Sequence, residues 1–199
     1  MAGASPARLP RGRHGLSREQ VAADQRIRIL LALAETMAEK GYVATTVADV
    51  LKRAGVSRET FYQQFSSKQD AFMAAFDAAG SLALAALTED VAADADPVDR
   101  FTGALRTYLA NLVAQPALAR MFLVEVYAAG PEAIARRAAF QRGVVETMVG
   151  ELGENNRFAS ELVVAGTAAL VTPLLVAGDL DSIPELEGEL VASFRRLLS

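Results

Sequence analysis

The polar side chains best suited to directional contact with another molecule are concentrated in one stretch, residues 46–65, T-V-A-D-V-L-K-R-A-G-V-S-R-E-T-F-Y-Q-Q-F. Thr46 followed three residues later by Asp49 reads as a capping box opening a short helix that carries Val50, Leu51 and Ala54. Gly55 supplies the residue without a Cβ that a sharp bend requires, and Ser57 can cap a second short helix through about Gln63. Two short helices joined by a glycine-containing turn of three to four residues form a helix-turn-helix. Val47, Val50, Leu51, Val56 and Phe61 would lock the pair together. The second helix then presents Ser57, Arg58, Thr60 and Gln64 outward, where hydroxyl, amide and guanidinium groups can bond base edges or phosphates. Thr46 and Ser57 also read as plain helix caps, a role compatible with contact. Tyr62 reads either as a contact or as core.

Other chemistry is poorly supplied. The chain has no cysteine, and its single histidine, His14, lies in a Pro/Arg/Gly-rich tail, so neither a Ser-His-Asp triad nor a multi-histidine metal site is easily built. There is no phosphate-cradling glycine loop and no metal-ligand spacing. The expectation is a protein that is not an enzyme and uses no metal or cofactor. The formal charge of −4 hides an asymmetry. Residues 1–70 hold 11 Lys and Arg against 7 Asp and Glu, whereas the remainder holds 9 against 17. A basic head on an acidic body suits a chain whose N-terminal part meets an anionic polymer. The first 25 residues contain arginines and no apolar secretory core. The uncharged stretch from Leu162 to Gly178 is interrupted by Gly166, Thr167, Thr172 and Pro173 and reads as a buried helix, not a membrane span. A soluble, cytoplasmic protein without membrane contact is expected.

The elements that must position these groups are helical. Hydrophobic residues make up 52% of the chain, Ala and Leu dominate, and alternating β-branched clusters are scarce. The pattern predicts an all-α protein of about nine to ten helices. Residues 1–16 form a basic arm with Arg8, Arg11 and Arg13, which with Arg18 could enter a minor groove or stay solvated. Residues 17–70 would be a three-helix DNA-binding domain, and 71–199 a second helical domain. Ser17 to Gln20 is a capping box for a first helix that Gly41 ends. A fourth helix starts near Ser66 or Ser67 and carries Phe72, Phe76, Ala79, Leu82 and Ala86 on one stripe. Asp96-Pro97 opens a fifth, which Gln115-Pro116 ends. Further helices are predicted over about 117–127, from Gly130-Pro131 to about Leu152, and over about 159–177 and 183–198.

At residues 20–76 the chain resembles the TetR family of transcriptional regulators. The resemblance is carried by Gly41-Tyr42, Thr45 to Val50, Ala54 to Tyr62, Phe65 and Lys68. Gly15 to Val21 is similar to an N-terminal extension found in some members. The resemblance implies a homodimeric repressor that binds double-stranded, pseudo-palindromic operator DNA and is released by a small-molecule effector. It implies that Arg58 and Thr60 read bases, and that Thr46, Ser57, Tyr62 and Lys68 contact phosphate, with Gln64 serving either purpose. Gln63-Gln64 departs from the histidine or tryptophan-like side chains common there. Glu59 is left out, because its charge repels phosphate.

The resemblance further implies a ligand cavity in the C-terminal helices and dimerisation through the last two. Candidate cavity residues are Phe101, Leu105, Tyr108, Met121, Phe122, Glu125, Tyr127, Phe140 and Met148, an apolar set with a few orienting polar groups. Plain core packing is the competing reading for each. Ala165 and Ala169 on the penultimate helix, with Leu186, Leu190, Phe194 and Leu197 on the last, are the candidate dimer contacts. The alternative is a helix-turn-helix regulator without a small-molecule ligand, whose C-terminal domain serves only dimerisation or protein contact. A fully packed interior would mark that case.

Overall fold

A computed structural model of the chain describes residues 17–88 and 96–199; the arginine arm expected before Ser17 lies outside them. The described residues form nine α-helices and two single 3₁₀ turns, without strands. They are α1 (Arg18–Ala44), α2 (Val47–Ala54), α3 (Arg58–Gln64), α4 (Lys68–Thr88), α5 (Pro97–Ala114), α6 (Pro116–Leu123), α7 (Pro131–Leu152), α8 (Arg157–Ala177) and α9 (Leu186–Leu198).

Local chemistry sets most boundaries. Ser17 and Gln20 exchange the two bonds of a capping box at the start of α1, and Thr46 and Asp49 do the same for α2. Ser57 caps α3 by accepting from the Thr60 N–H at 3.0 Å. Asp96 caps α5, and proline opens α5, α6 and α7, where its missing N–H costs nothing. Gly55 adopts φ 63° and ψ 40°, the left-handed conformation expected at the bend. Gly41 also has positive φ, 78°, and breaks the helical backbone of α1 one turn before its last residue.

Two elements differ from the sequence reading. The helix expected over 117–127 is α6 followed by a separate 3₁₀ turn, Glu125–Tyr127, whose first side chain is drawn toward α1. The last helix starts at Leu186 instead of Ile183. Residues 179–185 form turns in which Asp179 bonds the Ser182 hydroxyl, and Pro184 disfavours helix at the residue before it.

Two apolar clusters hold the molecule together. The first joins Ile29, Leu33 and Met37 of α1 to Val50, Phe61, Phe65, Phe72 and Phe76, and it includes Met121, Val126 and Ala133 from beyond α5. The second joins Leu105 and Leu109 of α5 to Val163, Val171 and Leu175 of α8 and to Leu190 and Phe194 of α9. Phe122 of α6 packs against both. The helix-turn-helix is thus seated on a core partly furnished by the C-terminal helices. Among its side chains Phe61 is fully buried, and truncating it to alanine would cost about 3–5 kcal/mol.

Candidate nucleic-acid interface and interior cavity

The apolar lock predicted for the helix-turn-helix is in place, with Val50 and Phe61 completely buried between α1, α2 and α3. That lock turns the opposite side of α3 to solvent, where Ser57, Arg58, Tyr62 and Gln63 are exposed and Thr60 and Gln64 partly so. The Arg58 guanidinium lies 5.4 Å over the Tyr62 ring and has no carboxylate partner among the described residues. Its five donors remain available to an acceptor. The hydroxyls of Ser57 and Thr60 bond each other at 2.9 Å, and Thr46 donates to Asp49. Thr46 and Ser57 are therefore caps in the free protein, with exposed oxygens at the starts of α2 and α3. Glu59 is tied to Gln63 at 3.2 Å on the same face. Neighbouring cations are largely balanced, since Lys40 pairs with Asp49 and Arg53 with Glu35 and Glu39. Lys40 and Thr46 hold the Asp49 carboxyl well below the usual carboxylate range.

Lys68 is placed differently from the other six. It begins α4, but its ammonium donates to the carbonyls of Tyr42 at 2.6 Å and Thr45 at 2.9 Å and sits 4.1 Å from the Tyr42 ring centre. An ammonium has three donors, and two carbonyls and a ring face occupy it. Burial pushes its pKa down. The lysine caps the end of α1 from outside, and a phosphate would have to displace those bonds.

The same end of α1 is held from the other side by Glu125. This residue is 8% exposed, and its carboxylate accepts the Tyr42 N–H at 2.7 Å. Gly41 makes that bond geometrically open, because its positive φ turns the Tyr42 amide away from the helix ladder. Glu125 is thus not a cavity residue. It is the polar link between the 3₁₀ turn and the DNA-binding head, a role visible only once residues 83 positions apart meet.

An interior cavity of about 290 Å³ lies between α4, α5, α6, α7 and α8. Six of the nine residues proposed for it line it, namely Phe101, Leu105, Tyr108, Phe122, Phe140 and Met148. Met121 is buried in the head cluster instead, and Tyr127 is 55% exposed at the surface. Arg100 and Arg137 also line the cavity and were not singled out, because isolated arginines in amphipathic helices read as surface. Arg100 Nε lies 3.1 Å from Glu151. Burial raises the Tyr108 phenol to about 12, with the Arg137 charge opposing. Phe122 stacks on Phe76 at 4.1 Å and meets Phe140 edge-on at 4.9 Å, so the cavity wall is continuous with the aromatic core of the head.

The proposed dimer residues separate into two groups. Ala165 and Ala169 fall on an exposed stripe of α8 with Phe158 (69% exposed), Leu162, Pro173 and Val176 (57% exposed). Leu190 and Phe194 do not face outward: Phe194 packs on Phe101 at 4.4 Å, and both complete the protomer's own second cluster. Leu186 packs with them, while Leu197 is exposed. The cause is that α9 has one apolar stripe, and α5 and α8 would otherwise leave theirs bare. The stretch 154–177 is also long and apolar enough to cross a membrane by length and composition. Its inner face, Ala159, Val163, Val171 and Leu175, is buried against neighbouring helices.

An exposed helix-turn-helix on a helical body with an interior cavity defines a helix-turn-helix regulator. Residues 29–75 match the family model for bacterial regulatory proteins of the tetR family. The chain is 30% identical over 193 residues to the HTH-type transcriptional regulator EthR of Mycolicibacterium smegmatis, covering 94% of this chain and 77% of that one. It belongs to the TetR family of transcriptional regulators. Solved structures with the same fold include FadR of Bacillus subtilis in complex with stearoyl-CoA, at TM-score 0.75 and 20% identity over 84% of this chain and 96% of that one. The fatty acid degradation regulator FadR of Bacillus halodurans superposes at TM-score 0.76 with 17% identity, over 85% and 94%. A transcriptional regulator of Rhodococcus sp. RHA1 gives 0.66 with 25% identity, over 87% and 95%.

Proposed function

We propose that the protein is a repressor that binds a pseudo-palindromic operator as a homodimer and is released by a small, mostly apolar effector. The observation that carries this reading is the conjunction of an exposed Arg58 on α3, without a carboxylate partner among the described residues, with an aromatic-walled cavity in the body. Arg58 and Thr60 read base edges, while Thr46, Ser57 and Tyr62 contact phosphates and Gln64 does either. The apolar stripe of α8 from Phe158 to Val176 pairs with its copy across a two-fold axis, joined by Leu197. Such a dimer holds two recognition helices about 34–36 Å apart, one DNA turn. The stearoyl-CoA bound by Bacillus subtilis FadR favours an acyl-type effector for the cavity here. A ligand lying against Phe122 acts on the ring that stacks on Phe76. It weakens operator binding only as far as it prefers the released state over the DNA-bound one.

Selection of binding sites from random duplex DNA, followed by salt titration on the winning site, tests the reading. A two-fold-related consensus and a steep negative salt slope are expected. Arg58→Ala should lose about 1–3 kcal/mol on that site and little on random DNA. Equal loss on both would reassign Arg58 to the backbone, and the absence of any two-fold consensus would remove the dimeric operator.

A further inference from the structure

One end of the cavity is chemically unlike the rest. Most of its wall is apolar, and the polar hydroxyls of Thr147 and Thr167 are already bonded to the carbonyls of Gly143 and Val163. Arg100, at the Pro97 end, faces the Glu151 carboxylate. At the opposite end Tyr108 of α5 shares the lining with Arg137 and Gln141, which stand one turn apart on the same face of α7. Arg137 has no carboxylate partner among the described residues, and its buried Nε has no acceptor. Its contact is the Tyr127 ring, 5.3 Å away. The Tyr108 hydroxyl likewise bonds nothing among the described residues. A guanidinium Nε buried without an acceptor is costly unless something supplies one.

We propose that the cavity takes a carboxylate-headed amphiphile, its head held by Arg137 and Tyr108 and its apolar body lying along Phe122, Phe140 and Met148. The inference rests on the effector reading above and names the ligand's chemistry. Charge sets the head group: with Arg100 facing Glu151, Arg137 is the remaining cation among the described lining residues, which complements a monoanion. A carboxylate accepts two parallel bonds from a guanidinium and a third from the phenol. Size sets the body. At about 290 Å³ the cavity lies at the small end of ligand pockets. The 11 residue steps from Pro97 to Tyr108 along α5 give a length of about 16 Å.

The test is isothermal titration of the full-length protein at neutral pH with decanoate, decan-1-ol and stearate. Decanoate should bind roughly ten-fold or more tightly than decanol, the worth of one charge-assisted bond, and more tightly than stearate. Arg137→Met should abolish that preference by weakening decanoate while decanol binding stays unchanged, which also shows that the variant is folded. Tyr108→Phe should weaken decanoate several-fold. Equal affinity for decanoate and decanol, or a preference that survives Arg137→Met, overturns the head-group assignment and leaves an apolar effector site intact. Stearate binding as tightly as decanoate overturns the size. Failure of wild-type protein to bind any of the three overturns the inference, while operator selection judges the regulator reading separately.

Discussion

Lys68→Met separates a structural lysine from a phosphate-binding one. The substitution keeps an unbranched stem beside Tyr42 and removes only the ammonium. Two charge-assisted bonds to the Tyr42 and Thr45 carbonyls disappear. Both acceptors are partly buried and regain some water, so each loss is about 1–2 kcal/mol and the total roughly 2–4 kcal/mol. For a chain of this length that corresponds to a fall in Tm of roughly 5–15 °C. Urea and thermal unfolding, with the protein held at fixed concentration, read this directly. The second readout is the salt dependence of operator binding at a temperature where the variant is folded. If Lys68 serves the end of α1, the slope of log Kobs against log salt stays at the wild-type value. If it instead neutralises a phosphate in each protomer, the slope becomes shallower by about 1.8 for the proposed dimer. Unchanged stability together with that shallower slope would refute the structural assignment.

Glu125→Leu should destabilise the protein by about 1.5–3 kcal/mol, because the Tyr42 N–H loses a charged acceptor in a buried setting; Glu125→Gln, which keeps an acceptor oxygen, should cost less than half as much in urea unfolding. Asp49 has a depressed folded pKa, so its contribution to stability is complete above its unfolded value of about 4 and is lost as pH falls through the lower folded value. Asp49→Asn should therefore flatten the acid limb of the stability profile below about pH 4 and leave its shape at higher pH unchanged. Gly55→Ala should cost about 1–2 kcal/mol by chemical denaturation, purely from the left-handed backbone, since an added Cβ meets nothing within 4 Å. A neutral result there would mean that the bend relaxes.

The sequence alone determined most of what is local along the chain. Caps at Ser17, Thr46, Ser57 and Asp96, the bend at Gly55 and the period of the apolar residues depend on neighbours within four or five positions, so helix starts and the outward face of α3 were legible. Only tertiary structure decided which of two chemically equivalent uses a side chain has. Phe194 and Leu197 sit on one helix, but the first fills the protomer's core and the second faces out, because α5 and α8 arrive from remote parts of the chain. From sequence Lys68 reads as a phosphate contact and Glu125 as a cavity residue, until the Gly41 break brings the end of α1 between them. Arg137 stands out only as the cation whose buried Nε finds no acceptor among the described residues. Burial and pairing are properties of what surrounds a group in three dimensions, and residues tens of positions away supply those surroundings.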